Sequence, residues 1–542
     1  MRGADIIARS LARAGTRHVF ALSGNHVMPL FDAALDAKLP LLHVRHEAAT
    51  VHMADAWARL TGEVGVALVT GGPGHANAVS ALYTALAAES AVVLLSGHAP
   101  LRELGLGAFQ EMRQGEMAAP VTKASWTAQS TATLPKDLAR AFRIAQSGRP
   151  GPVHLSLPSD VLEAEFSGSR PEAAEFAAEP QALALPAARA IVREIANAQR
   201  PLVIAPPLLA TPPGRKLVEG LRQSLGVPVV VMESPRGIND PGLGAIADIL
   251  AECDLIVLLG KALDFTLRFG KAPAMAPQCR WIVIEPDVDL LARAARTQKE
   301  RLSLSAIADA RSAANALMQA AADGGAGRHE QWAAEVQAAI DYRPWSSDAA
   351  SYPQNGGMHS TAMCLGLQPF LDRHADAIFV CDGGELGQWA QAVLKAPQRV
   401  INGFAGAIGS SIPFAIGAKK ACPGSPVLTV LGDGTFGFHM AEFDTAVRNN
   451  LPFVAVVGND AKWNAEYQIQ VRDFGEPRAL GCTLGQATRY DLVASALGGH
   501  GEFVVKGEDL PSALDRAFAS GKPACVNVLI QGTPAPIVRR KK

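Results

Sequence analysis

Two aspartates, each following closely on a strongly apolar run, are the first residues in this sequence whose types and spacing suggest chemistry. One lies in Gly432-Asp433-Gly434 and the other in Asn459-Asp460, with 24 residues between the two motifs. If the apolar runs form neighbouring parallel strands, both side chains reach the same edge of a sheet, where α/β proteins bind ligands. The glycines allow a sharp turn and let backbone N–H groups approach an anion. Two carboxylates beside diphosphate oxygens would suit Mg²⁺, although the glycine motif alone is equally consistent with a simple turn.

The elements that must position these residues follow a regular pattern along the chain. Short β-rich apolar runs alternate with amphipathic helical stretches in three blocks, at 1–165, 185–330 and 350–535. Strict alternation of strand and helix is typical of parallel sheets that are covered by helices on both faces. We therefore predict an α/β chain of three doubly wound parallel-sheet domains with these boundaries.

Composition and charge exclude several classes of protein. Of the 542 residues, 49% are hydrophobic and 19% are charged, which is typical of a globular rather than a disordered chain. Lys and Arg number 50 against 51 for Asp and Glu, so there is no basic excess for binding nucleic acid. The seven cysteines form no CxxC motif, and no apolar run approaches the ~20 residues of a membrane span. With no signal peptide expected either, we predict a cytoplasmic protein without nucleic-acid or membrane partners.

The Gly-Asp-Gly motif, the interval after it and the Asn-type pair together resemble the diphosphate-binding motif of thiamine diphosphate (ThDP) enzymes. Further stretches are similar to the acetolactate synthase-like branch of that family, which includes benzaldehyde lyase, oxalyl-CoA decarboxylase and 2-hydroxyacyl-CoA lyases. They lie in the family's order, at 45–49, 66–77, 109–111, 119–123, 151–158 and 442–451. The resemblance implies ThDP and Mg²⁺ as cofactors. It also implies an N-terminal pyrimidine-binding domain, a Rossmann-like middle domain and a C-terminal domain for diphosphate and metal.

The resemblance assigns the family's catalytic glutamate to Glu47. A carboxylate bonded to the aminopyrimidine ring favours its imino tautomer, whose nitrogen then removes the proton from C2 of the thiazolium ring. His26 matches the position of an active-site histidine in benzaldehyde lyase-like enzymes, and Gln110 resembles a glutamine of the substrate pocket. For His26 the alternative is a simple helix cap, and His46-Glu47 taken alone could be a structural pair at a strand end.

The resemblance also implies how the cofactor is held. Ile408 matches the bulky side chain that wedges the two cofactor rings together, although a core isoleucine beside a glycine-rich turn would have the same spacing. Asp433, Asp460 and the backbone carbonyl of Lys462 match the metal ligands. The other residues assigned to the cofactor, beside Glu47 and Ile408, are Pro73, Asn77, Gly384, Gly432, Asp433, Gly434, Thr435 and Asp460.

Some positions depart from the family's pattern. The usual Asn at the second metal ligand is Asp460, and the Trp that contacts substrate in acetolactate synthases proper is replaced by Ile469. The stretch 260–270 lacks the pattern that accompanies FAD, so we expect no flavin in the middle domain, which is instead structural or holds part of a CoA substrate. Glu385 stands where those enzymes have a Gln beside the diphosphate.

These observations predict an enzyme that cleaves or forms the C–C bond next to a carbonyl, either a 2-hydroxyacyl-CoA lyase or a benzaldehyde-lyase-like carboligase. Its substrate would be a 2-hydroxyacyl-CoA, a 2-oxo acid or an aldehyde. The alternatives are an acetolactate synthase, a 2-oxo acid decarboxylase, or a catalytically silent ThDP-binding regulatory subunit. A NAD-binding protein is disfavoured because no dinucleotide fingerprint follows a first strand.

The resemblance further implies a homodimer or homotetramer. Glu47 of one chain would complete a site with the Gly-Asp-Gly motif of another, so that each site lies at the dimer interface. The last residues, 532–542, contain two prolines and four basic residues, and we expect an extended, mobile arm that could steer an anionic substrate.

Overall fold

A computed structural model describes residues 1–323, 329–352 and 357–540. Three parallel sheets, each flanked by helices, account for most of these residues, which confirms the predicted α/β class. No helix among the described residues is long and apolar enough to cross a bilayer.

The N-terminal sheet has six strands in the order β2-β1-β3-β4-β6-β5. Its strands are Val19–Ala21 (β1), Leu41–His43 (β2), Gly65–Val69 (β3), Val92–His98 (β4), Ala124–Thr127 (β5) and Val153–Pro158 (β6). The helices of this block are Gly3–Arg13 (α1), Met28–Asp36 (α2), Glu47–Thr61 (α3), Pro73–Ala87 (α4), Gln114–Ala118 (α5), Leu134–Gln146 (α6) and Ser159–Glu163 (α7).

The middle sheet has five strands in the order β11-β10-β9-β7-β8. Its strands are Pro201–Ala205 (β7), Val229–Val231 (β8), Leu255–Leu259 (β9), Arg280–Ile284 (β10) and Leu302–Ala306 (β11). Its helices are Leu185–Asn197 (α8), Pro212–Leu225 (α9), Ile246–Leu250 (α10), Val288–Gln298 (α11), Ala310–Ala322 (α12) and Glu330–Asp341 (α13).

The C-terminal sheet has six strands in the order β13-β12-β14-β15-β17-β16. Its strands are Ile378–Cys381 (β12), Gln398–Ile401 (β13), Val427–Gly432 (β14), Val454–Asn459 (β15), His500–Val504 (β16) and Ala524–Leu529 (β17). Its helices are Ser360–Asp372 (α14), Gly384–Val393 (α15), Ser411–Ala421 (α16), Asp433–His439 (α17), Glu442–Arg448 (α18), Asn464–Phe474 (α19), Tyr490–Ala496 (α20) and Leu510–Ala519 (α21).

Central strands such as β3 and β9 are apolar along their whole length and buried on both faces, because helices cover both sides of the sheet. The described chain forms two compact units. The first contains 1–146, 150–178 and 348–535, and the second contains 147–149, 179–347 and the residues from 536 onward. The domain boundaries expected from the sequence remain a prediction.

The first unit holds both outer sheets, and its core is built where α3 packs on α16. A Cβ atom added to Gly417 of α16 would lie 2.7 Å from the carbonyl oxygen of Met53 in α3, so the glycine is what permits this close approach. Arg59 of α3 also donates a hydrogen bond of 2.6 Å to the carbonyl of Ile401 in β13, and it is paired with the buried Asp55 of its own helix. Both outer blocks of the chain therefore share one core.

The C-terminal arm differs from the expected mobile segment. Within the second unit, the guanidinium of Arg539 donates to Asn239, and the backbone N–H of Arg540 donates to Asp248 at 3.0 Å. The Arg540 side chain also approaches Asp248 and Glu252. Two of the four basic residues are thus docked on acidic or polar groups, while Lys541 and Lys542 lie outside the described residues.

We predict that Gly417→Ala lowers the free energy of unfolding by about 1–3 kcal/mol, because its methyl group overlaps the α3 backbone. The control is Gly424→Ala, since a Cβ atom at Gly424 has no neighbour within 4 Å; its effect should stay within about 0.5 kcal/mol. Urea unfolding followed by circular dichroism measures both. Equal stability of the two variants would contradict the close approach of α3 and α16.

Candidate active site

The carboxyl ends of β14 and β15 bring the two predicted metal ligands together. Gly432 and Gly458 are paired across these strands, so Asp433 and Asp460 follow at the same edge of the C-terminal sheet. Burial and the nearby charge of Asp460 raise the pKa of Asp433 to about 7. Burial raises the pKa of Asp460 to about 6, although the N–H of Lys462 donates to it at 3.2 Å.

This acidic pair fits a divalent cation. The Oδ2 atom of Asp433 is buried and has no hydrogen-bond partner among the described residues. Two buried carboxylates repel each other when both are ionised, and a doubly charged cation would offset that cost. Oxygen ligands of this kind suit Mg²⁺, whose remaining positions would be filled by water, diphosphate and a backbone carbonyl.

The turn after β15 contains the predicted third ligand. Ala461 has φ of 56°, a left-handed conformation that turns the chain sharply between Asp460 and Lys462. The ammonium of Lys462 lies 4.1 Å from the centre of the Tyr467 ring, so this side chain is directed toward α19. The assignment of the Lys462 carbonyl as a ligand stays a prediction.

The Gly-Asp-Gly motif forms the junction between β14 and α17. A Cβ atom on Gly434 would lie 2.6 Å from the ring of Trp463, so only glycine fits against this indole. The hydroxyl of Thr435 donates to the carbonyl of Gly432 at 2.9 Å and fixes the first turn of the helix. The backbone N–H groups of that turn are the kind of donors that bind phosphate.

Gly384 begins α15, and Ile408 lies in the neighbouring loop before α16. Gly384 has φ of 78° and open space around its Cα, whereas a Cβ atom on Gly383 would lie 2.9 Å from Cγ2 of Ile408. The structure thus places the predicted wedge residue against the start of α15, at the edge that also bears Asp433.

One buried carboxylate that the sequence analysis missed holds this loop. Asp382 accepts hydrogen bonds from the N–H groups of Gly383 at 2.7 Å, Gly409 at 3.0 Å and Ser411 at 3.1 Å. This one carboxylate therefore holds together the start of α15, the residue after Ile408 and the start of α16. The only sequence signal was an acidic residue between an apolar run and Gly383-Gly384.

Glu47 is the first residue of α3, at the carboxyl edge of the N-terminal sheet. The His46 side chain caps this helix by accepting from the N–H of Ala48 at 3.2 Å. Asn77 of α4 donates to Oε2 of Glu47 at 3.0 Å, and a Cβ atom on Gly74 would be 3.3 Å from Oε1. Pro73 begins α4 and is exposed, as is Asn77. Glu47 therefore lies beside the first turns of α4, which contain Pro73 and Asn77.

A second missed carboxylate ties Glu47 to the C-terminal block. Glu442 is fully buried and accepts from the N–H groups of Arg45 at 3.1 Å and His46 at 3.0 Å. Burial raises its pKa, while the hydroxyl of Thr445 and these N–H groups act in the opposite direction. The stretch 442–451 resembles the family, but no role for Glu442 was predicted from it.

His26 and Gln110 lie near each other but differ in environment. His26 is buried, its Nδ1 is 3.2 Å from the Thr70 hydroxyl, and burial lowers its pKa. Gln110 has φ of 58° and packs against Gly72. Buried hydrogen bonds are formed instead by Gln114, which was not among the predicted site residues. Its side chain accepts a hydrogen bond from the N–H of Gly72 at 2.8 Å and donates one to the carbonyl of Gly97 at 3.0 Å.

The predicted residues thus form two clusters. One lies at the edge of the N-terminal sheet around Glu47, and the other lies at the edge of the C-terminal sheet around Asp433. Among the residues that the structure describes, no hydrogen bond or ion pair joins Glu47 to Asp433 or Asp460 within a single chain.

We predict that the acidic pair makes the metal-free protein less stable as pH rises. In the folded protein the pKa values of Asp433 and Asp460 both lie above the ordinary value of 3.8, so ionising these carboxyl groups costs free energy in the folded state. The contribution of the protonated pair to the free energy of unfolding is therefore present in acid and is lost as pH increases toward 7. Asp460→Asn should flatten this loss and reduce the stabilisation by Mg²⁺ with ThDP. Melting temperatures from about pH 5 to about pH 8, in EDTA or Mg²⁺, measure both effects. Identical pH slopes for the variant and the wild type would contradict the pairing.

Comparison with known proteins agrees with this geometry. Residues 1–117 match the family model described as "Thiamine pyrophosphate enzyme, N-terminal TPP binding domain", which contains the cluster around Glu47. Residues 382–528 match the model described as "Thiamine pyrophosphate enzyme, C-terminal TPP binding domain", which contains Asp433 and Asp460.

Similar proteins extend over nearly the whole chain. The acetolactate synthase large subunit IlvG of Mycobacterium tuberculosis is 31% identical, with 98% of this chain and 96% of that protein covered. The 2-hydroxyacyl-CoA lyase 2 of Caenorhabditis elegans and that of Homo sapiens are each 30% identical, with 98% of this chain and 90% of each relative covered. With both cofactor-binding models matched at the two residue clusters, the chain belongs to the family of thiamine pyrophosphate (ThDP) enzymes.

Proposed function

We propose that this enzyme uses ThDP and Mg²⁺ to cleave or form the C–C bond next to a carbonyl, as a 2-hydroxyacyl-CoA lyase or a benzaldehyde-lyase-like carboligase. One observation supports the proposal most strongly. The same chain holds a candidate acid–base carboxylate, Glu47, at the edge of one sheet and the buried Asp433–Asp460 pair at the edge of another. A silent regulatory subunit would have no use for Glu47 held by Asn77.

Each cluster has a defined task in this proposal. Asp433, Asp460 and the Lys462 carbonyl would hold Mg²⁺, and the first turn of α17 would bind the diphosphate. Ile408, fixed against Gly383 by the Asp382 anchor, would press the two rings of the cofactor together. When bound, ThDP supplies a thiazolium ring that serves as the electron sink for a carbanion next to a carbonyl.

Glu47 is the proposed acid–base residue. Its Oε2 atom accepts a hydrogen bond from Asn77, which fixes the orientation of the carboxyl group. The Oε1 atom would then exchange a proton with the aminopyrimidine ring. His26 and Gln110 would contact the substrate, with His26 kept neutral by its burial.

Two departures from acetolactate synthases support the lyase or carboligase within the family. Ile469, on α19, stands at the position of their substrate-contacting Trp, and 260–270 lacks their FAD-associated pattern. The 31% identity to proteins named acetolactate synthase keeps that activity, and 2-oxo acid decarboxylation, as the second candidate. Assays of 2-hydroxyacyl-CoAs, 2-oxo acids and aromatic acyloins with ThDP and Mg²⁺ distinguish them. Turnover of 2-oxo acids alone would favour the second candidate.

The proposal includes a homodimer or homotetramer in the cytoplasm. Each site would combine Glu47 of one chain with Asp433 of another. Large apolar side chains exposed on the elements that bear the two clusters support a second copy, because such surface is normally covered in an assembly. They include Tyr83 on α4 and Phe438 on α17. Seven cysteines, all free and six of them buried, support a reducing compartment.

We predict that Glu47→Gln lowers the rate of C2 proton exchange on bound ThDP by about 10²–10⁴-fold, because an amide cannot hold and release the proton. The melting temperature should change little. Glu63→Gln is the matched control, since it removes the same charge from a half-buried residue just beyond α3 whose side chain pairs with Arg17. Exchange is measured by NMR after mixing with D₂O and acid quenching. A wild-type exchange rate in Glu47→Gln would refute the proposed role.

A further inference from the structure

Residues 104–111, between β4 and α5, are folded around the carboxylate of Glu111. Its Oε1 atom accepts from the N–H of Gly105 at 2.5 Å, and Oε2 accepts from Gly107 at 3.2 Å and Ala108 at 3.0 Å. The N–H of Glu111 donates back to the carbonyl of Ala108 at 3.0 Å. From 104 to 113 the chain forms neither helix nor strand, so these bonds define the shape of the loop. We call residues 104–111 the carboxylate loop.

The glycines of the carboxylate loop add no packing that could replace these bonds. Gly105 and Gly107 have φ of 84° and 81°, and a Cβ atom on either would meet nothing within 4 Å. Leu106 is 79% exposed, so its side chain does not anchor the loop in the core. The Glu111 carboxylate is therefore the main constraint on this part of the backbone.

The carboxylate loop ends at the residues that lie beside the proposed catalytic histidine. The ring of Phe109 stacks on that of His26, with 6.3 Å between centroids. The backbone of Phe109 also forms a hydrogen bond with His26 that raises the pKa of His26, against the larger lowering by burial. Gln110, with its left-handed φ of 58°, packs on Gly72 directly before Pro73. A shift of the loop would move all of these contacts.

The same loop forms one wall of a cavity of about 860 Å³ in the N-terminal block. Leu104, Gly105, Gly107, Ala108 and Glu111 line it on the loop side, and Trp126 of β5 lines it on the other. The loop thus lines this cavity and, through Phe109 and Gln110, also contacts His26 and Gly72. Its conformation sets both the cavity wall and the position of Phe109.

The charge state of Glu111 suits this role. The N–H groups of Gly105 and Ala108 lower the pKa of its carboxyl, so the residue stays ionised near neutral pH. An ionised carboxylate is an acceptor only, which matches three converging donors, whereas an amide would direct its own N–H₂ group at some of them.

We propose that Glu111 is a positioning residue for the substrate step: by holding the carboxylate loop it places Phe109 and Gln110 beside His26 and thereby governs which substrates turn over. This inference rests on the proposed function, because it assumes that His26 faces the substrate. Glu111 itself touches neither the Glu47–Asn77 pair nor the Asp433–Asp460 pair. Its removal should therefore change substrate selection and turnover more than activation of the cofactor.

The test compares Glu111→Gln with Glu103→Gln, a charge-matched control eight residues earlier in the chain whose side chain pairs with Arg102 at the surface. Hydrogen exchange by mass spectrometry follows the peptide that spans 104–111. Steady-state kinetics with the best substrate of the panel, and C2 proton exchange on bound ThDP, are measured on the same full-length proteins. Glu111→Asp, which keeps the acceptor oxygens on a shorter side chain, serves as the partial rescue.

In Glu111→Gln we expect amide exchange in 104–111 to accelerate at least about tenfold, and kcat/KM to fall by about 10–100-fold because the pocket residues are misplaced. The melting temperature and C2 exchange should match the wild type, and Glu111→Asp should recover part of kcat/KM. Unchanged kcat/KM despite a loosened loop would overturn the inference, as would an equal fall in C2 exchange. Absence of C2 exchange in the wild type would instead refute the proposed function.

Discussion

The packing of α3 on α16 is the constraint on which both residue clusters depend. Glu47 is the first residue of α3, and α16 begins three residues after Ile408, so this one helix pair sets the position of the proposed acid–base residue and of the proposed wedge. Gly417 permits the close approach, and the hydrogen bond from Arg59 of α3 to the carbonyl of Ile401 in β13 adds a directional contact between the two outer blocks. A rigid scaffold of this kind is what a site with sub-ångström requirements needs.

Buried carboxylates that bind backbone N–H groups fix the loops on this scaffold. Asp382 gathers the starts of α15 and α16, and Glu442 holds the backbone just before Glu47. Burying a charge is costly unless several donors satisfy it, and each of these carboxylates has at least three. Asp433 and Asp460 differ, because Oδ2 of Asp433 has no hydrogen-bond partner in the part of the chain that the structure describes. That contrast separates the structural carboxylates from the pair that suits a cation.

Much of this arrangement could be predicted from local sequence. The α/β class follows from the alternation of strands and helices, and the adjacency of Asp433 and Asp460 follows from two motifs at the ends of apolar runs. The roles of Asp382 and Glu442 could not be predicted, because they depend on contacts between distant parts of the chain. Arg45 and Glu442, for example, are 397 residues apart. The buried hydrogen bonds of Gln114 rather than Gln110 are likewise invisible to motif matching, since both glutamines lie in one polar stretch.

We propose that two chains supply the two clusters of each site, and co-expression of Glu47→Gln with Asp433→Asn in one cell distinguishes this arrangement from sites within single chains. If the sites are shared, a heterodimer of the two variants has both substitutions in one of its two sites. Its other site then contains the unchanged Glu47 of one chain and the unchanged Asp433 of the other. Random pairing should therefore restore C2 proton exchange to about one quarter of the wild-type rate, although each variant alone is inactive. If each site belonged to a single chain, every site would carry one substitution. Exchange no faster than in the separate variants, with heterodimers verified by mass spectrometry, would contradict the account.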